Sequence, residues 1–290
     1  MEHTGFPSDE TLAAFIDGRL DAETRARVIA HMTTCSECYS IFLSATELPS
    51  RAAPRDAWRP RRAWIAVATA TFAAGIACAF LITPIRGRLL HYEDGMAALA
   101  RAAPAQRIIA GRISGFPYQP PAPVMRGPKF DPLQNPANAK LLTAAAGVQR
   151  SVAARRTAAN LHASGVANLL LGNDDAAIDT LHEALLAETG QRTVTAAIAE
   201  SDDVPLLDDL SAALSNRAIA RRSAVPDAVE AVRCSERAWR IASTPEAAWN
   251  RAVAIEALNG RAHAMTAWHD YLAIDAASPW AAEARKRIAD

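Results

Sequence analysis

Between Ala63 and Ile85 the chain carries no charged residue, and the run from Trp64 to Thr83 is 20 residues, about what a helix needs to cross roughly 30 Å of hydrocarbon. Ile65, Val67, Phe72, Ile76, Phe80, Leu81 and Ile82 surround such a helix on all sides, which suits lipid better than a single buried face. Trp64 and Pro84 mark its two interfaces. The stretch reads as a transmembrane helix over residues 63–85, against the blander alternative of an Ala-rich helix buried in a soluble domain. A cleaved leader sits at the extreme N-terminus, whereas about sixty polar residues come first here, so the segment is expected to stay as an anchor. Arg51, Arg55, Arg59, Arg61 and Arg62 precede it, while only Arg86, Arg88 and Arg101 follow within twenty residues. That imbalance predicts a single pass of the inner (cytoplasmic) membrane, with a cytoplasmic N-terminus and a periplasmic or otherwise extracytoplasmic C-terminal domain.

The span divides a chain whose overall neutrality hides segregation. Residues 1–62 carry 8 basic and 9 acidic side chains, residues 86–156 carry 11 and 3, and residues 157–290 carry 12 and 19. Net charges of −1, +8 and −7 argue for a modular chain rather than one core. The basic block is compatible with a solvated linker, with acidic lipid headgroups or with an acidic partner, and it can also fold back against the acidic block. Alanine at 67 positions, only three lysines and no sustained Val/Ile/Thr alternation make a mostly α protein the expected class. The apolar half of the composition excludes wholesale disorder and a collagen-like repeat. Cys35, Cys38, Cys78 and Cys234 do not form a disulfide framework.

In the first sixty residues, Ser8-Asp9-Glu10-Thr11 opens a helix with Leu12, Phe15 and Ile16 on one side. Asp17-Gly18 ends it, and Asp21-Ala22-Glu23 opens a second helix with Leu20, Val28 and Met32 as its stripe. That helix ends in His31, Cys35 and Cys38, spaced H-x3-C-x2-C. His31 and Cys35 share a helical face and Cys38 follows across a turn, so an imidazole and two thiolates can converge on one ion, and tetrahedral Zn²⁺ suits them. Leu12, Phe15, Ile16, Asp17, Gly18 and Leu20, followed by His31, Cys35 and Cys38, closely resemble the zinc-associated anti-sigma domain, the zinc-finger of anti-sigma factors, over roughly residues 6–45. Many members place a further Cys or His just before the first helix, where this chain has Gly5-Phe6-Pro7-Ser8. The alternatives are that His3 swings in as fourth ligand, that water takes that position, or that the module is held mainly by its apolar face. The resemblance implies a cytoplasmic helical module that grips an extracytoplasmic-function sigma factor and keeps it from RNA polymerase.

Eight prolines between residues 104 and 136 forbid a helix and favour an extended spacer, within which the run from Arg107 to Ser114 alternates weakly like a short strand. From about Lys140 helix follows helix, with internal similarity at a period in the thirties. One unit, Ala158 to Glu188, has Gly165 and Ala177 for close helix approach and Gly172-Asn173-Asp174 as its turn. A second spans roughly 209–242 with a turn at Ala224 to Asp227, after an acidic insert from Thr189 to Asp209. A third, Pro245 to Asp275, places Trp249, Gly260, Ala264, Trp268 and Tyr271 in similar order, and Trp280 to Ala289 follows as a capping helix. These units resemble tetratricopeptide repeats, whose stacked helix pairs form a groove for extended peptides. Trp239, Trp249, Trp268 and Trp280 read as packing residues between helices.

The chain is thus expected to be mostly α: a zinc-finger-like module (1–48), a basic juxtamembrane linker (49–62), one transmembrane helix (63–85), a Pro-rich basic linker (86–139) and a tetratricopeptide-like helical repeat solenoid (140–290). The expected metal ligands are His31, Cys35, Cys38 and His3, and the expected partners are a sigma factor and a protein or peptide in the repeat groove, with no direct nucleic-acid contact. A scaffold that binds proteins through its repeats without binding sigma is the alternative. No hydrolase, P-loop, zincin or dinucleotide fingerprint occurs, and Cys234 and the scattered His162, His182, His263 and His269 form no nucleophilic pattern, so no enzyme is expected. The order of modules also resembles the front part of longer bacterial chains that end in a caspase-like CHAT peptidase domain, and no such domain is expected here.

Overall fold

Alanine and leucine at helical spacing, with Thr, Asp and Gly at the ends, turn most of this chain into helix, and twelve helices are present among the described residues. The computed structural model describes residues 7–16, 19–35, 38, 41–42, 95–122, 138–221 and 225–289. All of them fall in one compact unit assembled from segments on both sides of residues 47–94.

The N-terminal module holds α1 (Asp9–Ile16) and α2 (Ala22–Thr34). Ser8 starts α1, its Oγ accepting the Thr11 N–H at 3.3 Å, and Asp21 caps α2, its Oδ1 accepting the Thr24 N–H at 2.9 Å. Leu12, Phe15, Val28, Ile29 and Met32 are buried, as is Phe42, whose ring stands edge-on to Phe15 at 5.6 Å.

Helix α3 (Gly95–Ala102) lies inside the stretch expected to be a spacer, because it precedes the first of the prolines. Helical structure resumes with α4 (Ala139–Ala154), close to the expected Lys140. Three packed pairs follow: α5 (Ala158–Leu170) with α6 (Asp174–Thr189), α8 (Val204–Arg221) with α9 (Val225–Ile241), and α10 (Pro245–Asn259) with α11 (Arg261–Ile274). Short connections make each pair antiparallel. Helix α8 also packs on α6, α10 packs on both α8 and α9, and α12 (Pro279–Ala289) closes the end against α11. Gly172, at φ +75°, makes the first turn in a conformation that disfavours any side chain.

The acidic insert is corrected. It contains α7 (Val194–Glu200), and its last residues belong to α8, which begins five residues earlier than the similarity suggested. Asp208 and Asp209 look like loop residues in sequence but are buried in α8. The second turn is also shorter than expected, since Val225 and Pro226 already form the first turn of α9, where proline is tolerated.

The single-pass membrane architecture and its inner-membrane placement are corrected as well. Among the described residues no helix is long and apolar enough to cross a membrane, and residues 63–85 lie outside the described residues. The longest described helix, α8, has 18 residues and carries Asp208, Asp209, Arg217 and Arg221. The N-terminal module and the helical domain, expected on opposite faces of a membrane, instead pack together: α2 lies on α9, and the Arg233 Nη1 donates to the Met32 carbonyl at 3.0 Å. The segment 49–62 also lies outside the described residues.

Candidate functional site

His31 stands in the last turn of α2, and Cys35 caps that helix, its N–H donating to the His31 carbonyl at 2.8 Å. One helical turn therefore stacks the imidazole and the first thiol on one face. Cys38 returns toward them, with its Sγ 3.2 Å from His31 Nε2, and all three potential ligand atoms lie within 4.8 Å of one another. A zinc tetrahedron with ordinary Zn–S and Zn–N bonds has edges of about 3.5–3.8 Å, so only small adjustments bring these atoms onto one ion. Cys38 is buried while His31 and Cys35 are half-buried, which leaves the centre at the edge of the module's core. The three residues are positioned to bind a metal ion, and two thiols with an imidazole fit Zn²⁺. The fourth expected ligand, His3, lies outside the described residues.

A second constellation was not anticipated as a site. Residues 103–122 form a strap over α8, α10, α11 and α12 that is largely extended from Arg107 to Ile113, turns at Ser114-Gly115 and comes back so that Arg107 bridges to Pro121. Burial alternates along it, with residues 107, 109, 111 and 113 buried and 108, 110, 112 and 114 less so, as the weak alternation in sequence suggested. Its main chain is held by helix side chains. Asn250 receives the Arg112 N–H on Oδ1 at 2.7 Å and donates from Nδ2 to the Arg112 carbonyl at 2.9 Å. Trp249 Nε1 donates to the Ala110 carbonyl at 2.9 Å, and Asp209 Oδ1 accepts the Ser114 N–H at 2.8 Å. The other oxygen of Asp209 faces His162 Nε2 at 2.7 Å.

Two arginines anchor the strap by charge. Arg107 forms a bidentate pair with Glu283 and lies over the Trp280 ring at 4.3 Å. Arg112 pairs with Glu246 at 2.6 Å and reaches Asp275 at 3.5 Å, 4.9 Å from the centroid of the same ring. The basic block therefore does fold back on the acidic one. Gly111 passes so close to α8 that a Cβ there would stand 2.5 Å from the Ala212 Cβ. Trp249 and Trp268 are fully buried packing residues, as expected, and Trp280 packs on Trp249 at 4.7 Å while also serving the two arginines.

Asn250, Asp209, Glu246 and Glu283 were not recognised from sequence. The available signal was the spacing of Arg107 and Arg112 around a glycine in an alternating run, opposite a domain of net charge −7. His162 and His182 are paired with the carboxylates of Asp209 and Glu230. Cys234 is fully buried, and burial pushes its thiol well above the ordinary range.

Comparison with known proteins bears on the first of these two places. No curated protein and no solved structure matches the chain. Residues 9–39 match the family described as "Putative zinc-finger", and His31, Cys35 and Cys38 all lie within that match.

Proposed function

We propose that the chain is a regulator of anti-sigma type, in which the zinc-finger module binds an extracytoplasmic-function sigma factor and the helical domain receives a protein or peptide signal. The observation that carries this reading is the His31, Cys35, Cys38 centre inside a segment that matches the zinc-finger family. Zinc would be structural here: held by His31, Cys35 and Cys38, it would pin the end of α2 to the following turn. The sigma-binding surface would then be the module that this pin keeps folded. The helical domain is read as three helix-pair repeats of tetratricopeptide type with α12 as cap, supported by the packing of each pair on the next and by the close approach at Gly165.

The test is co-purification of the full chain with the extracytoplasmic-function sigma factors of its host, with transcription from their promoters as readout. A stable complex that lowers transcription and is lost in Cys35→Ser is expected. No complex with any of them, with or without zinc, rejects the reading. A second reading, a protein-binding scaffold without sigma contact, is favoured by the strap, because the helical domain visibly holds extended chain by its main chain. Partner capture that survives Cys35→Ser but not Asn250→Ala selects that scaffold.

A further inference from the structure

The strap contacts have the composition of a recognition site. Helix side chains hold the main chain of residues 110, 112 and 114, which any extended peptide could offer, and only certain positions are read for identity. Position 107 must reach Glu283 across the Trp280 face, and position 112 must reach Glu246 and Asp275. Both sites suit the planar, forked guanidinium better than an ammonium. Position 111 admits glycine alone, since a Cβ there would stand 2.9 Å from the α8 backbone and 3.0 Å from the Asn250 Oδ1. Positions 109 and 113 are buried isoleucines, whereas Ile108 is 38% exposed and unread. Within itself the strap has a turn closed by the Phe116 N–H on the Ile113 carbonyl, an isolated bridge formed by the Arg107 N–H to the Pro120 carbonyl and the Ala122 N–H to the Arg107 carbonyl, and bonds from the Arg107 side chain to the Ile109 and Gln119 carbonyls. From Ala110 to Arg112 the main chain is held by the groove instead.

We infer that this groove recognises an extended peptide of the pattern Arg-x-Ile-x-Gly-Arg-Ile, that residues 107–113 are its tethered occupant, and that a partner protein presenting the same pattern displaces them. The inference deepens the reading of the helical domain as a peptide receiver and names both the ligand chemistry and its competitor. Tethering gives the strap an effective concentration of order millimolar, so an untethered segment of equal intrinsic affinity competes weakly until the strap's hold is loosened. The anchors pair nearly buried guanidiniums with carboxylates that are only 20% and 25% exposed, so salt screens them little and a displacing segment has to replace both pairs itself.

The experiment uses the full chain and a labelled synthetic peptide with the sequence of residues 105–122, which keeps the partners of Arg107 at residues 119–122. Reversing the strap's charges in the double variant Arg107→Glu, Arg112→Glu sets it against Glu283, Glu246 and Asp275 while leaving the groove intact. Peptide affinity is expected to rise about a hundredfold over the wild type in that background, and adding Asn250→Ala is expected to lower it at least tenfold. In the wild type, hydrogen exchange of the strap amides at Arg112 and Ser114 is expected to proceed by an opening separate from that of α8 and α10, and to quicken with excess peptide. Absence of peptide binding in a variant that melts like the wild type overturns the inference. So does a variant that no longer folds, or a wild-type strap whose amides exchange only with the whole domain, since either makes the strap core. A scrambled peptide that binds as well as the native one removes the pattern but leaves a peptide-receiving groove. If neither peptide binds, the receiving role of the domain fails with it.

Discussion

Asp208 and Asp209 are neighbours on α8, both buried, and they meet burial in opposite ways. Asp209 divides its oxygens between His162 and the Ser114 N–H, so its charge is matched on both sides. Asp208 has a buried Oδ1 without a hydrogen-bond partner, and burial, with Asp209 and Glu246 nearby, pushes its carboxyl up to about 8 against the pull of Arg112. Between the ordinary carboxylate value and about 8 the native state holds one proton more than the unfolded chain, so stability falls as pH rises through that window. His162 adds to the same trend: burial opposes its charge, but the Asp209 contact prevails and raises its pKa, so its contribution is present below 6.5 and is lost as pH rises through the raised value. Asp208→Asn is expected to raise stability more at pH 8.5 than at pH 5, the difference reaching up to about 4 kcal/mol for the roughly three pH units between 5 and the folded value of about 8. Urea melts at the two pH values check this, and an equal effect at both would count against a neutral Asp208. These two acids were illegible beforehand because an Asp pair after Ser201-Asp202-Asp203 looks solvated in sequence. His31, Cys35 and Cys38 were legible because helix geometry alone puts the first two on one face.

At the level of elements, small residues decide how closely helices pack, and two glycines show opposite balances. Gly165 on α5 faces α6, where a Cβ would stand 2.5 Å from Leu181 Cγ and 3.3 Å from the Ala177 carbonyl. Leu181 is fully buried, so it has little room to yield. Helix propensity would favour alanine by about 1 kcal/mol, but overpacking of this kind costs about 1–3 kcal/mol, so Gly165→Ala is expected to lower the melting temperature. Gly147 on α4 has only the end of the Arg150 side chain near a Cβ, at 3.7 Å, and Gly147→Ala is expected to raise stability by up to about 1 kcal/mol. Thermal melts of both variants measure the two signs, and a stabilised Gly165→Ala would show that α5 and α6 are not in close contact. The pairs themselves were readable from Gly165, Gly172 and the alanines that face them, because close approach leaves a mark in residue size. The strap was not, because its order comes from Asn250, Trp249 and Asp209, over ninety residues away in sequence, and proline density pointed only to extended backbone.

On the scale of the whole molecule, α9 links the zinc-finger module to the helical domain. One side of α9 packs on α8 and α10, which carry the strap, and the helix also packs on α2. Arg233 is largely buried, and its Nη1 donates to the carbonyl of Met32, one of the last four of α2 and therefore without an intrahelical partner. A guanidinium at that end also opposes the negative pole of the helix, one residue from His31. Binding of zinc to the native module stabilises it in proportion to the logarithm of ligand excess, and a module packed on α9 passes that stabilisation on to the helical domain. With zinc supplied, a chelator is therefore expected to lower the main calorimetric transition of the wild type, and to have no effect on Cys35→Ser. Arg233→Ala removes a hydrogen bond from a charged donor, a loss of about 1.5–3 kcal/mol, and leaves the Met32 carbonyl unmet. If α9 is the path, the chelator-induced shift in Arg233→Ala shrinks to less than half that of the wild type, while Gly147→Ala, far from α2 in the chain, keeps the full shift. An undiminished shift in Arg233→Ala would mean that the apolar contact of α2 with α9 carries the coupling without the guanidinium. No shift in the wild type would mean that the zinc-finger module folds independently of the domain it touches.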